Sequence, residues 1–150
     1  MKYGFLILTV ALTVAGMTEV AFSTPFYVVS SFDTSSFGAL NPEGITFSPL
    51  TGTLFIPDEA ITDDQDNVLV PGRIFEVSLT GDLISSFPHG LHRHAEGITF
   101  DPITGDLLIT KSALASSGGG IYRFKTDGTS LGLFLTIEPP SGDCDGIAVH

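Results

Sequence analysis

An eleven-residue phrase occurs twice in this chain. Pro42-Glu43-Gly44-Ile45-Thr46-Phe47-Ser48-Pro49-Leu50-Thr51-Gly52 returns 53 residues later as Ala95-Glu96-Gly97-Ile98-Thr99-Phe100-Asp101-Pro102-Ile103-Thr104-Gly105. A third start, Asp145-Gly146-Ile147-Ala148-Val149, follows 49 residues after the second. A period of this length constrains the fold more than any compositional figure. Each unit must bury its apolar surface on its neighbours in a repeating array.

The unit reads as four antiparallel strands. Residues 44–48 alternate, with Ile45 and Phe47 on one side and Thr46 on the other, which is the two-residue period of a strand. Ser48-Pro49-Leu50-Thr51-Gly52 supplies turn chemistry, with a Pro that presets φ and a Gly that accepts the left-handed region. Further strands are expected at 53–57, 72–78 and 83–87, with a turn at Thr80-Gly81-Asp82. The second unit copies this order at 106–110, 120–125 and 131–137, with a turn at Thr126-Asp127-Gly128. Ser-Ser-Phe at 85–87 also stands at 30–32, so residues 26–32 read as the outer strand of a preceding unit.

A four-stranded unit of about 50 residues predicts an all-β chain and a β-propeller blade. The expected blades are 43–94 and 96–144, with 145–150 as the first strand of the next. Seventeen Gly, nine Pro and twelve Phe, with few runs of helix formers, agree with short strands and tight turns. Two blades do not close a ring, since propellers use about four to eight. Residues 24–150 therefore read as a propeller fragment whose first partners are missing blades of the same chain.

The amino terminus has different chemistry. Lys2, an apolar stretch of 14 residues from Gly4 to Met17, and Ala21-Phe22-Ser23 form a signal-peptide pattern over residues 1–23. The stretch is short of the roughly 20 residues a spanning helix needs. A secreted or periplasmic location is expected, with no membrane attachment after cleavage. Cleavage removes one base, Lys2, and one acid, Glu19, so the net charge stays at −11. That charge repels phosphate backbones and excludes nucleic acid as a partner; it favours cations. Cys144 is the one cysteine, so no intramolecular disulfide forms. A half-buried loop thiol, an intermolecular bridge and a nucleophile are the alternatives for it.

The phrase Glu-Gly-Ile-Thr-Phe-x-Pro-x-Thr-Gly-x-Leu, with Asp-Gly-Ile-Ala-Val at the end, resembles the blade starts of six-bladed, calcium-dependent propellers. The gluconolactonase and regucalcin group is the nearest resemblance, with NHL-repeat and phytase-like exported propellers beside it. In the gluconolactonase group the acidic or amide residue before that Gly holds a divalent metal in the central channel. The resemblance thus implies Glu43, Glu96 and Asp145 as candidate ligands for Ca²⁺. The group carries Asn at some of these positions, whereas this chain has an acid at all three. First strands of a propeller line its axis, so the three carboxylates would converge, and like charges raise one another's pKa until a hard cation intervenes. The alternative is that each carboxylate serves backbone amides or channel water.

Two functions follow from this pattern. One is a binding module that presents its faces to a small molecule or an extracellular protein, with any metal structural. The other is a calcium-dependent hydrolase of a lactone, ester or phosphoester, in which the ion polarises the substrate oxygen. Hairpin return places Asp58 and Glu59 near Glu43, and Lys111 beside Glu96 in a solvated ion pair. His89, His92 and His94 form a polar loop before Glu96 and are expected at the surface, with Zn²⁺ binding or general-base chemistry as the sharper option. Asp63-Asp64-Gln65-Asp66-Asn67 lacks the sixth-position Gly and twelfth-position Glu of an EF-hand, and reads as a solvated insertion. The glycine run at 118–120 has no Lys-Ser/Thr after it and is no phosphate loop.

Overall fold

The computed structural model describes residues 30–65, 67–91, 94–112, 119–137 and 144–149. The expected signal peptide, residues 26–29, His92 and His150 lie outside these. Among the described residues no helix is long and apolar enough to cross a membrane.

The chain is all-β. After a 3-10 turn at Thr34–Phe37, the strands are β1 (Thr46–Ser48), β2 (Thr53–Asp58), β3 (Ile61–Thr62), β4 (Val68–Val70), β5 (Arg73–Val77) and β6 (Leu83–Pro88). Then come β7 (Ala95–Asp101), β8 (Asp106–Lys111), β9 (Gly119–Lys125) and β10 (Ser130–Ile137). They form two four-stranded antiparallel meanders, β1-β2-β5-β6 and β7-β8-β9-β10, with a two-stranded ribbon β3-β4 beside them. The four-strand pattern expected from the repeat is present in both units, with edges shifted by a residue or two.

The turns repeat because their chemistry repeats. Gly52 N–H donates to Ser48 O and Gly105 N–H to Asp101 O, each at 2.8 Å. Gly81 N–H donates to Ser78 O and Gly128 N–H to Lys125 O, each at 3.0 Å. Gly81 and Gly128 sit at φ 89° and 90°, a region that strains any side-chain-bearing residue. The ribbon is the insertion that lengthens the first unit. Its tip is closed by Asp63 Oδ1, which accepts the amides of Gln65 and Asn67 at 2.9 and 2.8 Å. The Asp63 carboxylate of the expected solvated insertion thus serves as a turn lock.

The core lies between the two sheets. Cross-strand pairing puts Ile98 beside Ile109, and Phe100 beside Leu107 and then Phe124, on one face of the second sheet. That face packs on Phe55, Ile74 and Phe87 of the first sheet. Each such side chain contributes about 1.5–3 kcal/mol by leaving water. On the far face of the first sheet, Ile56, Phe75 and Val77 are covered by Phe32, Phe37 and Ala39 from the segment before β1.

Two inter-sheet contacts recur at the repeat interval. A Cβ built on Gly44 would lie 3.3 Å from Glu96 O and 3.4 Å from Ile98 N. One on Gly97 would lie 3.1 Å from both Asp145 O and Ile147 N, the equivalent atoms one repeat on. At the outer end the Phe32 ring lies on Gly81, and the Phe87 ring lies on Gly128. The same relation therefore carries the 30–32 segment to β6, and the first strand to the second and third. Of the expected strands 26–32 and 145–150, the described parts, residues 30–32 and 145–149, form no ladder with other described residues.

Candidate functional site: an acidic edge shared by two sheets

Glu43 precedes β1, and its N–H donates to Pro57 O at 3.1 Å. That bond draws the end of β2 to the start of β1, so Asp58 and Glu59 come beside Glu43 as the hairpin predicts. β7 runs along β1, tied by Phe100 N–H donating to Thr46 Oγ1 at 3.1 Å, and so brings Glu96 to the same edge. A bulge between Ala95 and Ile98 leaves Gly97 N–H off the ladder, and Thr110 Oγ1 accepts it at 2.8 Å.

The edge is electrostatically uneven. Glu43 is exposed as a residue, yet partial desolvation of its carboxyl raises its pKa, and Glu96, Glu59 and Asp58 push it the same way. Asp58 is 3% exposed and its pKa is raised by burial, against the pull of the Asn41 amide that donates to Oδ1 at 2.6 Å. Asn41 Nδ2 also donates to Glu59 Oε2 at 2.9 Å. Asn41 had no motif to announce it; its role comes from standing two residues before Glu43 on the strand approach.

His94 sits where the two sheets meet. Its backbone N–H donates to Glu59 Oε1. Its Nδ1 lies 3.9 Å from Glu59 Oε1 and 3.6 Å from Glu96 Oε1, close enough for charge attraction when the ring is protonated. His94 is the one non-glycine residue with positive φ among those described, at 61°. Such a backbone costs on the order of 1–3 kcal/mol and persists where surroundings enforce it. Its Nε2 is buried with no partner among the described residues.

Two sequence expectations are corrected here. His89 is buried at 5% exposure instead of lying on the surface. Its Nδ1 accepts Leu91 N–H at 3.0 Å, so Nε2 carries the proton and donates to Asp58 O at 3.1 Å. Burial lowers its pKa, and the ring lies against Gly72, where a Cβ would collide with it. Such a histidine holds two loops together and leaves no nitrogen for zinc. The expected Lys111–Glu96 ion pair is not formed: Lys111 pairs across the ladder with Ala95, and Glu96 Oε1 lies beside the His94 ring. Of the three predicted ligands, Glu43 and Glu96 share the edge, while Asp145 is exposed and meets the second sheet through its backbone carbonyl at Gly97.

Among the described residues no three Asp, Glu, His or Cys side chains are disposed to hold a metal ion. Asp58 and Glu59 already accept N–H groups, and Glu96 faces an imidazole. Cys144 is a half-buried loop thiol whose N–H donates to Ser112 Oγ at 3.1 Å. Comparison with protein-family models, curated proteins and solved structures finds no match.

Proposed function

We propose that the chain is an exported β-propeller module, secreted or periplasmic, that works by binding. Its two sheets are two blades, and the acidic edge is the surface offered to a cationic group of a small molecule or an extracellular protein. The observation that carries this is the convergence of Glu43, Asp58, Glu59 and Glu96 from two sheets, with a raised pKa at Glu43. A cation placed there relieves repulsion that the chain itself leaves standing. Binding stands ahead of hydrolysis because the described residues show no nucleophile paired with a base, while four carboxylates gather at one edge.

Ca²⁺ is the simplest probe of the edge. Calorimetric titration of the whole chain with Ca²⁺ should give a binding isotherm that Glu96→Gln weakens about tenfold, the scale of one lost charge-assisted contact. Asp64→Asn, on the ribbon, should leave it unchanged. No binding by wild type, or equal binding by all three, would remove the edge from this proposal.

A further inference from the structure

The residue before each first strand and the residue after each second strand are bonded to one another, and the bond recurs at the repeat interval. Asn41 and His94 stand 53 residues apart, as do Glu59 and Ser112. In the first unit Glu59 N–H donates to Asn41 O at 3.0 Å; in the second, Ser112 N–H donates to His94 O at 3.0 Å. The side chains of the same two residues then reach onward. Glu59 Oε1 accepts the N–H of His94, and Ser112 Oγ accepts the N–H of Cys144 at 3.1 Å. His94 lies two residues before the repeated acid Glu96, and Cys144 one residue before Asp145. The longer glutamate side chain takes the amide one place farther out than the serine does.

His94 is therefore held at both of its peptide groups, its N–H by the first unit and its C=O by the second. Its φ of 61° is a region that an L-residue leaves when free to do so, because the Cβ crowds the following carbonyl. Bonds to the N–H and to the C=O restrain φ and ψ together, so these two contacts are what keeps the strained backbone in place. Glu59 is itself anchored for this. Asn41 Nδ2 donates to its Oε2 at 2.9 Å, so each carboxylate oxygen is taken by an N–H group, one from each unit. Ser112 is 1% exposed, and its hydroxyl meets the Cys144 amide in place of water.

We infer that Glu59 and Ser112 are staples between successive units, and that the first staple holds His94 in its left-handed conformation as a strained joint between the two sheets. Apolar contact between the sheets is non-directional and does not fix where along the strands they meet. A directed bond from the end of β2 to the approach of β7 does. The same bond sets the His94 ring beside Glu96, so a displacement of Glu59 passes to the edge of the second sheet. The inference concerns the joint alone and stands whether or not a cation binds the edge.

Amide hydrogen exchange by NMR, on the whole chain, tests the staples. Glu59→Ala should speed exchange of the His94 amide about tenfold, the scale of one lost hydrogen bond. It should also speed exchange at Phe100, whose N–H crosses between the sheets to Thr46 Oγ1, and leave Cys144 unchanged. Glu59→Gln keeps an acceptor oxygen and should leave His94 protected. Ser112→Ala should free the Cys144 amide and spare that of His94. Urea unfolding of a double-mutant cycle tests the strain. His94→Gly and His94→Ala both lose the ring and keep the amide. With Glu59 in place, glycine should give about ten times the folded-to-unfolded ratio of alanine, the scale of one left-handed residue. In the Glu59→Ala background the two should differ by less than about twofold, because the joint then relaxes. A glycine advantage that persists without Glu59 overturns the inference. So does a Phe100 amide indifferent to Glu59→Ala, which would make Glu59 a local cap with no hold on the sheets. Ser112→Ala reads the second staple with the first intact, so it decides even where Glu59→Ala does not fold: a Cys144 amide that exchanges alike with and without the hydroxyl overturns the inference.

Discussion

Phe47 and Phe100 occupy the same position of the same repeated phrase, yet one is 47% exposed and the other 6%. Ile45 and Ile98 differ likewise, at 55% and 6%. Local sequence and strand geometry are shared, so neither causes the difference. Among the described residues, the first sheet packs on this face of the second, whereas the 30–39 segment covers the outer part of the first. In a stacked repeat a core position is a core position only when the next unit is present.

The largest effect should come from removing the aromatic ring at each position. Phe100→Ala opens a cavity among Ile98, Leu107 and Phe124 and should destabilise by about 3–5 kcal/mol. Phe47→Ala removes a half-exposed ring and should cost less than about 1 kcal/mol in dilute solution. Urea unfolding followed by circular dichroism measures both. Equal costs would break the comparison and mean that Phe47 is covered in the dilute monomer.

A smaller difference is expected at the glycines that let the inner strands approach. A Cβ on Gly97 falls 2.9 Å from the Gly146 Cα, which is backbone and yields only if the strand moves. On Gly44 the nearest atom is 3.3 Å away, a contact that a few tenths of an ångström relieve. Gly97→Ala should therefore cost about 1–3 kcal/mol by overpacking, and Gly44→Ala distinctly less. Thermal melts of the two variants give the order. If Gly97→Ala is harmless, the 144–149 segment does not lie against β7 in solution.

Much of this architecture was legible because repeats state a period and turns state a chemistry. The eight strands of the two sheets follow from Gly52, Gly81, Gly105 and Gly128 standing at matched offsets. The β3-β4 ribbon was legible only as an insertion, since Ile61-Thr62 is too short to carry a period. The site was less legible. Glu43, Asp58 and Glu59 meet because a hairpin returns to its start, a rule that needs only strand order. Asp145 shares the phrase, and its backbone stands to Gly97 as that of Glu96 stands to Gly44. His89 misled because a histidine between polar neighbours gives no local sign of burial. The ring is enclosed by Gly72 from a segment 17 residues earlier, and only the folded contact reveals it. The propeller and its export stand as proposals, carried by the repeat and by the first 23 residues.

The smallest expected effect lies in the carboxyl titrations, where the same two units differ in sign. At the β7-β8 turn Asp101 Oδ1 accepts Ile103 N–H at 2.9 Å and Oδ2 accepts the Thr104 hydroxyl at 2.7 Å, which lowers its pKa below 3.8. The first unit has Ser48 at that position, a hydroxyl that does not titrate. Asp101 therefore supports the second unit above pH 3.8, and its support is lost as the pH falls through its lowered value. Glu43 has the opposite sign. Its raised pKa means that ionisation opposes folding, so its contribution is most favourable below 4.5 and declines as the pH rises through the raised value. Carbon-detected NMR of side-chain carboxyls should find Glu43 titrating above 4.5 and Asp101 below 3.8. Glu96→Gln removes the charge that acts most strongly on Glu43 and should move that titration down. It should not return it fully, because desolvation outranks Glu96 among the causes. Asp101, whose partners all lie in its own turn or on β9, should not respond. A Glu43 titration indifferent to Glu96→Gln would mean that the two carboxylates do not face one another. The acidic edge would then be two separate strand ends, with no shared field to draw a cation.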